Sequence, residues 1–365
     1  MNNVTATSGN KLEKLDALRG FAAIYVVLHH AVPHDLTWAG IDFGFVFRFG
    51  QEAVTLFFLL SGFVINYSFR RGADHTFKTY LVKRACRIYL PLLCVMLLGW
   101  LLECLSVGGL GDIRPRELFL NLLMLQDIAA LKPNVIVAPY MDNSPLWSLS
   151  YEWWFYMLYF PMQKIFLTDR YRNLTVYMLA LGAAVLYLVE PVFVVRLVMY
   201  LSIWWTGVFI SNLYLDDKRF SAFQLTMPVL FLSLICVVNG YSVLRAIQTG
   251  QYQNVGVHPV LELRQHLFAL IVICVALFWR KLKWTGFNFL FHPFLYIAPI
   301  SFGLYISHYY FVIDPQFFSF VGNQAVEKVL YMLAMLIFAY FIEMQLFPRG
   351  QNLIFKYMHV GRVTC

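Results

Sequence analysis

Leu15-Asp-Ala-Leu-Arg-Gly-Phe-Ala-Ala-Ile-Tyr-Val-Val-Leu-His-His30 is an apolar stretch with an arginine near its start and two histidines at its end. On a helix turning about 100° per residue, the eleven steps from Arg19 to His30 return to within about 20° of the start. The two side chains therefore share one face, about 16 Å apart along the axis and near opposite ends of a membrane span. Ionisable groups inside a membrane are costly and face a protein interior or a watery cavity, so the pair reads as a working site. The plainer reading has Arg19 snorkelling to the inner headgroups and His30 capping the outer end.

The rest of the chain supports a membrane reading. Of 365 residues, 60% are hydrophobic and 13% charged, against about a quarter charged in soluble domains, and the mean hydropathy is +0.64. The expected fold class is all-α, a polytopic helical bundle with no separate soluble domain. The first 14 residues are polar and lack an apolar h-region, so the first span is expected to stay as an anchor. The six cysteines form no C-x-x-C pair and imply neither a disulfide framework nor a metal site. Cys365 is the last residue and so does not complete a prenylation box.

Hydropathy predicts about ten spans, at 16–33, 53–69, 88–106, 149–167, 174–190, 197–214, 226–243, 264–279, 293–312 and 327–346. The apolar stretch Glu117–Leu131 is short and reads as a re-entrant or interfacial helix; were it a span, the downstream topology would invert. With an inner N-terminus and ten spans, 20 of the 28 Lys and Arg residues fall on the inner side. That asymmetry places both termini in the cytoplasm. The net charge of +8 then reports orientation, and no nucleic-acid partner is expected. Matched halves of the kind found in many secondary transporters are not evident.

Four further segments carry candidate chemistry. In Val54-Thr-Leu-Phe-Phe-Leu-Leu-Ser-Gly-Phe63, Ser61 offers a hydroxyl to a substrate and Gly62 offers room; the pair equally suits close helix packing. Arg84 and Arg87, three residues apart before the third span, share a helix face. Their forks suit the phosphates of a cytosolic donor such as a coenzyme A ester, and equally anionic lipid headgroups. In Trp147-Ser-Leu-Ser-Tyr-Glu152, the carboxylate lies among aromatic residues just inside the outer end of a span, where it could orient a histidine or share its proton. In the ninth expected span, Ser301-Phe-Gly-Leu-Tyr-Ile-Ser-His308 puts a histidine in the outer half. His30, Glu152 and His308 are thus expected at similar outer depth, with Arg19, Arg84 and Arg87 on the inner side.

Taken in order, these segments resemble the membrane-bound acyltransferase-3 family. Arg19 and His30 match its Arg-x10-His helix, Phe57–Phe63 its Phe-Phe-x-Leu-Ser-Gly-Phe segment, and Arg84 with Arg87 its Arg-x-x-Arg pair. Trp147–Glu152 match Trp-Ser-Leu-x-x-Glu, and Ser301–His308 match Ser-x-x-Leu-Tyr-x-x-His. The likeness covers about residues 15–345 of what reads as a single domain over 1–365. Where the family commonly has Glu-Glu-x-Phe-Tyr, this chain has Glu152-Trp-Trp-Phe-Tyr156, leaving one carboxylate there.

The resemblance implies an acyl-CoA-dependent O-acyltransferase in a bacterial inner membrane. It would move an acetyl group from cytoplasmic acetyl-CoA to a hydroxyl of a surface polysaccharide or its lipid-linked precursor. His30, Glu152 and His308 would be catalytic, Arg19, Arg84 and Arg87 would bind the donor, and Ser61, Gly62 and Trp147 would line the acceptor site. No tightly held cofactor or metal is expected. Succinyl or longer acyl groups and macrolide acceptors are alternatives within the family, and some relatives carry an additional C-terminal esterase-like domain, not expected here. A glycan-lipid transporter is the reading from a different class.

Overall fold

The computed structural model describes residues 4–38, 40–166, 168–216, 221–315 and 317–358, without the side chains of 4–11, 38 and 41. The expected inner pair Lys218–Arg219 and the terminal Cys365 lie outside these residues. The architecture is all-helical apart from a hairpin of two-residue strands, β1 (Thr37–Trp38) and β2 (Ile41–Asp42). Long helices are the form in which an apolar chain satisfies every backbone polar group without water.

The helices are α1 (Val4–Ala31), α2 (Gly50–Arg71), α3 (Phe77–Val107), α4 (Pro115–Leu122), α5 (Trp147–Ile165), α6 (Asp169–Tyr187), α7 (Phe193–Leu215), α8 (Thr226–Gln248), α9 (Val260–Lys281), α10 (Phe287–Phe291), α11 (Ser301–Ser307), α12 (Gln324–Tyr340) and α13 (Phe347–Met358). Helical structure coincides with every expected span. Among the described residues, however, six helical runs are long and apolar enough to cross a membrane, or seven if the bent pair Phe287–Tyr296 and Ala298–Ser307 counts as one crossing. The expectation of about ten spans is therefore not established by length and apolarity. The segments α1, α5 and α6 carry Asp16 and Arg19, Glu152 and Lys164, and Asp169 and Arg172, which lower their apolarity. The ninth expected span is bent by 50°.

The stretch after residue 115 does not cross. Helix α4 has eight residues, about 12 Å of rise against the ~30 Å of a hydrocarbon core. The chain then runs without helix to α5, and irregular backbone is tolerated at depth only when buried in protein. Asp127 is the anchor that buries it. Its carboxylate accepts from Lys132 Nζ at 3.0 Å, Arg196 at 2.8 Å and the Tyr151 hydroxyl at 2.6 Å. Arg196 also donates to the Pro133 carbonyl and the Tyr187 hydroxyl, each at 3.0 Å. Helices α5, α6 and α7 are thereby tied to one loop.

Glycines set the closest helix contact. A Cβ at Gly62 would stand 2.0 Å from the Trp204 carbonyl oxygen, and one at Gly207 would stand 2.0 Å from that of Leu59. Helices α2 and α7 thus meet backbone to backbone, as small residues allow in membranes. Asn66 bridges the same seam to Asn212 at 2.8 Å. On the loop before α3, Asp74 accepts from the Thr79 hydroxyl and the Thr76 amide. These bonds hold its carboxyl well below the usual range, at about 2, and fix the start of the helix that bears Arg84 and Arg87.

Two stability predictions follow from this packing. Gly62→Ala should destabilise the protein by about 2 kcal/mol as the α2–α7 seam is forced apart, whereas Gly182→Ala, with open space around it, should not. Asp127→Ala strands Lys132 and Arg196 in the interior and should cost about 3–5 kcal/mol. Thermal unfolding of the detergent-solubilised variants checks both.

Candidate functional site

Two polar clusters occupy the bundle at different depths, and α1 connects them. The first is built of imidazoles. The ring of His30, at the end of α1, stacks on His308, with centroids 5.3 Å apart and planes inclined by 27°. His308 caps α11, just before a π-helical turn at Tyr309–Ile313, and is fully buried. Its Nδ1 lies 2.6 Å from the Tyr305 carbonyl. A carbonyl only accepts, so Nδ1 carries the proton and Nε2 keeps a free lone pair. That Nε2 is buried and has no hydrogen-bond partner. His30 itself is exposed.

His29 and His34 extend the cluster towards the loop. Their rings are 4.8 Å apart, and His29 is 4.6 Å from His30. His29 Nδ1 donates to the Phe47 carbonyl at 2.5 Å. Gly50 begins α2 directly against the His29 ring, since a Cβ there would lie 2.3 Å from it.

The second cluster is carboxylate, hydroxyl and guanidinium. Glu152 Oε1 accepts from Ser61 at 2.8 Å and from the Tyr156 hydroxyl. Trp204 Nε1 donates to Ser61 at 3.2 Å. The Arg84 guanidinium lies 5.9 Å from the Tyr156 and Tyr80 ring centres. Arg87 pairs with Glu343 at 2.5 Å and stacks on Phe302 and Phe347. Arg19 pairs with Asp16 at 3.0 Å, donates to the Ala298 carbonyl at 3.2 Å, and lies within electrostatic range of Arg87, Glu343 and Glu152.

The depths of the two clusters follow from helix rise. Ser61 is eleven residues along α2 from Gly50, about 16 Å below the His29 level, and Arg19 is as far from His30 along α1. Glu152 thus sits at the depth of Arg19, not with His30 and His308 where the sequence reading put it. The reason is the start of α5. The turn Ser144–Leu146 that leads into it is already buried, as are Tyr140, Met141 and Asn143. The helix begins inside the protein, and its second turn lies deeper still.

The other expected site residues divide in the same way. Arg84, Arg87 and Arg19 come together with Ser61 and Glu152. Gly62 is pressed on the Trp204 backbone, a close helix contact. Trp147 is buried under Lys132, whose Nζ stands 3.4 Å from its ring centre, so it roofs the Asp127 anchor.

Several residues of these clusters went unread in the sequence. Tyr156 follows Glu152 by four residues, a same-face spacing that signals their contact. Glu343 is a carboxylate well inside the last expected span, itself a signal of function or of a charge partner. Trp204 carries no such mark. Among the described residues, no group of three or more His, Cys, Asp or Glu side chains is placed to hold a metal ion.

Residues 12–344 match the family described as an acyltransferase domain. Acyltransferase MdmB of Streptomyces mycarofaciens is 34% identical over 157 residues, which cover 42% of this chain and 39% of that relative. The matched part is thus about two fifths of the relative's length. No solved structure matches the chain. With its apolar helices and a match over nearly its whole length, the chain is a multi-pass integral membrane protein and belongs to the acyltransferase-3 family.

Proposed function

We propose that this protein is an acyl-CoA-dependent O-acyltransferase of the bacterial inner membrane, with both termini cytoplasmic. It moves an acetyl or similarly short acyl group to a hydroxyl of a surface polysaccharide or its lipid-linked precursor. The observation that carries the reading is the separation of the two clusters along α1: cations at the Arg19 level, imidazoles about 16 Å away at the His30 level. A donor with a phosphate-rich head and a thioester at the end of a long arm fits that polarity.

Arg84 is the residue best placed to take the donor's phosphates. It makes no ion pair among the described residues, and its buried Nε has no partner. Arg87 already shares its charge with Glu343. At the far end, His30 accepts the proton of the acceptor hydroxyl as its oxygen attacks the thioester carbonyl. The C–O bond forms, the C–S bond breaks, and the proton that His30 accepted passes to the leaving thiolate, directly or through water, so that coenzyme A leaves as a thiol and the imidazole is neutral again. A two-step route, with the acyl group carried briefly on His30 nitrogen, balances equally. His308 keeps its Nε2 lone pair beside His30 and relays or steadies that proton. Glu152, with Ser61 and Tyr156, offsets the cationic charge around the donor.

Inverted membrane vesicles given radiolabelled acetyl-CoA and extracted lipid-linked glycans test the proposal. Label should pass to the glycan, and His30→Ala should lower the rate by about 100-fold or more with the protein still folded. A near wild-type rate in that variant removes His30 from the chemistry. Absence of label from acetyl, succinyl and longer acyl-CoAs alike, with macrolide acceptors also inert, moves the reading to glycan-lipid transport.

A further inference from the structure

Glu343 is a buried carboxylate beside the proposed donor site that the reaction as drawn does not use. It lies on a π-helical turn, Phe341–Leu346, interposed between α12 and α13, and is 4% exposed. Such turns are frequent at functional sites because they re-aim a side chain out of the helical register. One oxygen, Oε2, accepts from Arg87 at 2.5 Å, and the Arg87 guanidinium is held between Phe302 and Phe347 at 4.7 and 5.2 Å. The other oxygen, Oε1, is buried with no hydrogen-bond partner.

Arg19 presents the complementary vacancy. Its NH2 group is engaged by Asp16 and the Ala298 carbonyl, while its Nε is buried and without a partner. The turn Ala298–Ile300, to which Arg19 donates, packs against the turn that carries Glu343, yet Arg19 and Glu343 form no ion pair. One idle donor and one idle acceptor, both on charged groups, thus belong to neighbouring parts of one cluster. Unmade bonds of this kind are costly in an interior, and they are kept where a ligand completes them.

A single planar amide supplies both missing partners, since its carbonyl accepts from Arg19 Nε and its N–H donates to Glu343 Oε1. The arm of coenzyme A carries two amides, and the phosphate-binding arginines lie in the same cluster. We infer that Glu343 and Arg19 form the subsite that grips an amide of the donor's pantetheine arm. This rests on the acyl-CoA reading above. It gives Glu343 a direct contact with substrate, with its pairing to Arg87 as a second, supporting task.

Equilibrium binding to the detergent-purified full chain tests it with two probes. One is coenzyme A; the other is adenosine 3′,5′-bisphosphate, which has the phosphates' chemistry without the arm. The readout is the ratio of the two Kd values, which a general loss of structure does not change selectively. Glu343→Gln should weaken coenzyme A by about tenfold or more and leave the bisphosphate within about threefold. Arg84→Gln should weaken both and preserve the ratio. The paired change Arg87→Met with Glu343→Leu removes both buried charges, which guards against misfolding from a stranded arginine, and it should also collapse the ratio. A wild-type ratio in either Glu343 variant overturns the inference, because Glu343 then only props Arg87 or binds water. An effect on the acceptor's KM alone overturns it as well, in favour of a hydroxyl subsite. If the wild-type protein binds neither probe, the acyl-CoA reading itself falls, and the subsite with it.

Discussion

A charge placed inside a membrane protein must be paired, hydrogen-bonded or put to use, and this constraint organises the whole molecule. Asp127 satisfies Lys132 and Arg196 together, and in doing so holds an irregular loop at a depth where unpaired backbone would not survive. Glu343 satisfies Arg87, and Asp16 satisfies Arg19. Where the accounting closes, the residues are structural. It stays open at several buried atoms, and four of these, Arg84 Nε, Arg19 Nε, Glu343 Oε1 and His308 Nε2, are the ones on which the proposed donor path rests.

The division into two clusters also explains how one helix can serve two chemistries. Phosphate recognition needs fixed cations near the aqueous inner face. Proton abstraction needs a neutral nitrogen lone pair away from those cations. On the proposed reading, placing Arg19 and His30 eleven residues apart on α1 meets both demands with one rigid rod, and the glycine-lined crossing of α2 and α7 packs Ser61 and Glu152 firmly at the Arg19 level. The imidazole level gains its own rigidity from backbone carbonyls, with His29 bound to Phe47 and His308 to Tyr305.

Much of this was legible in the chain. Apolar runs located the helices, and the short stretch near Glu117 was correctly read as too brief to cross. The order of the motifs pointed to the family that the comparison then showed. Less legible was the number of crossings, because α1, α5 and α6 mix charges or aromatic residues into their apolar faces. The level of Glu152 was misjudged for a definite reason: its helix starts below the surface, after a buried turn whose burial no local pattern announces.

The sequence by itself determined the all-helical membrane class, the face shared by Arg19 and His30, and the adjacency of Arg84 and Arg87, because spacing along one helix is set by backbone geometry alone. Only the tertiary structure decided that His30 stacks on His308, that Arg87 is paired by Glu343 while Arg84 is not, and that Gly62 and Trp147 are packing residues. Those relations depend on the rotation and vertical offset of one helix against another. Both are settled by contacts between residues far apart in the chain, and no local spacing encodes them.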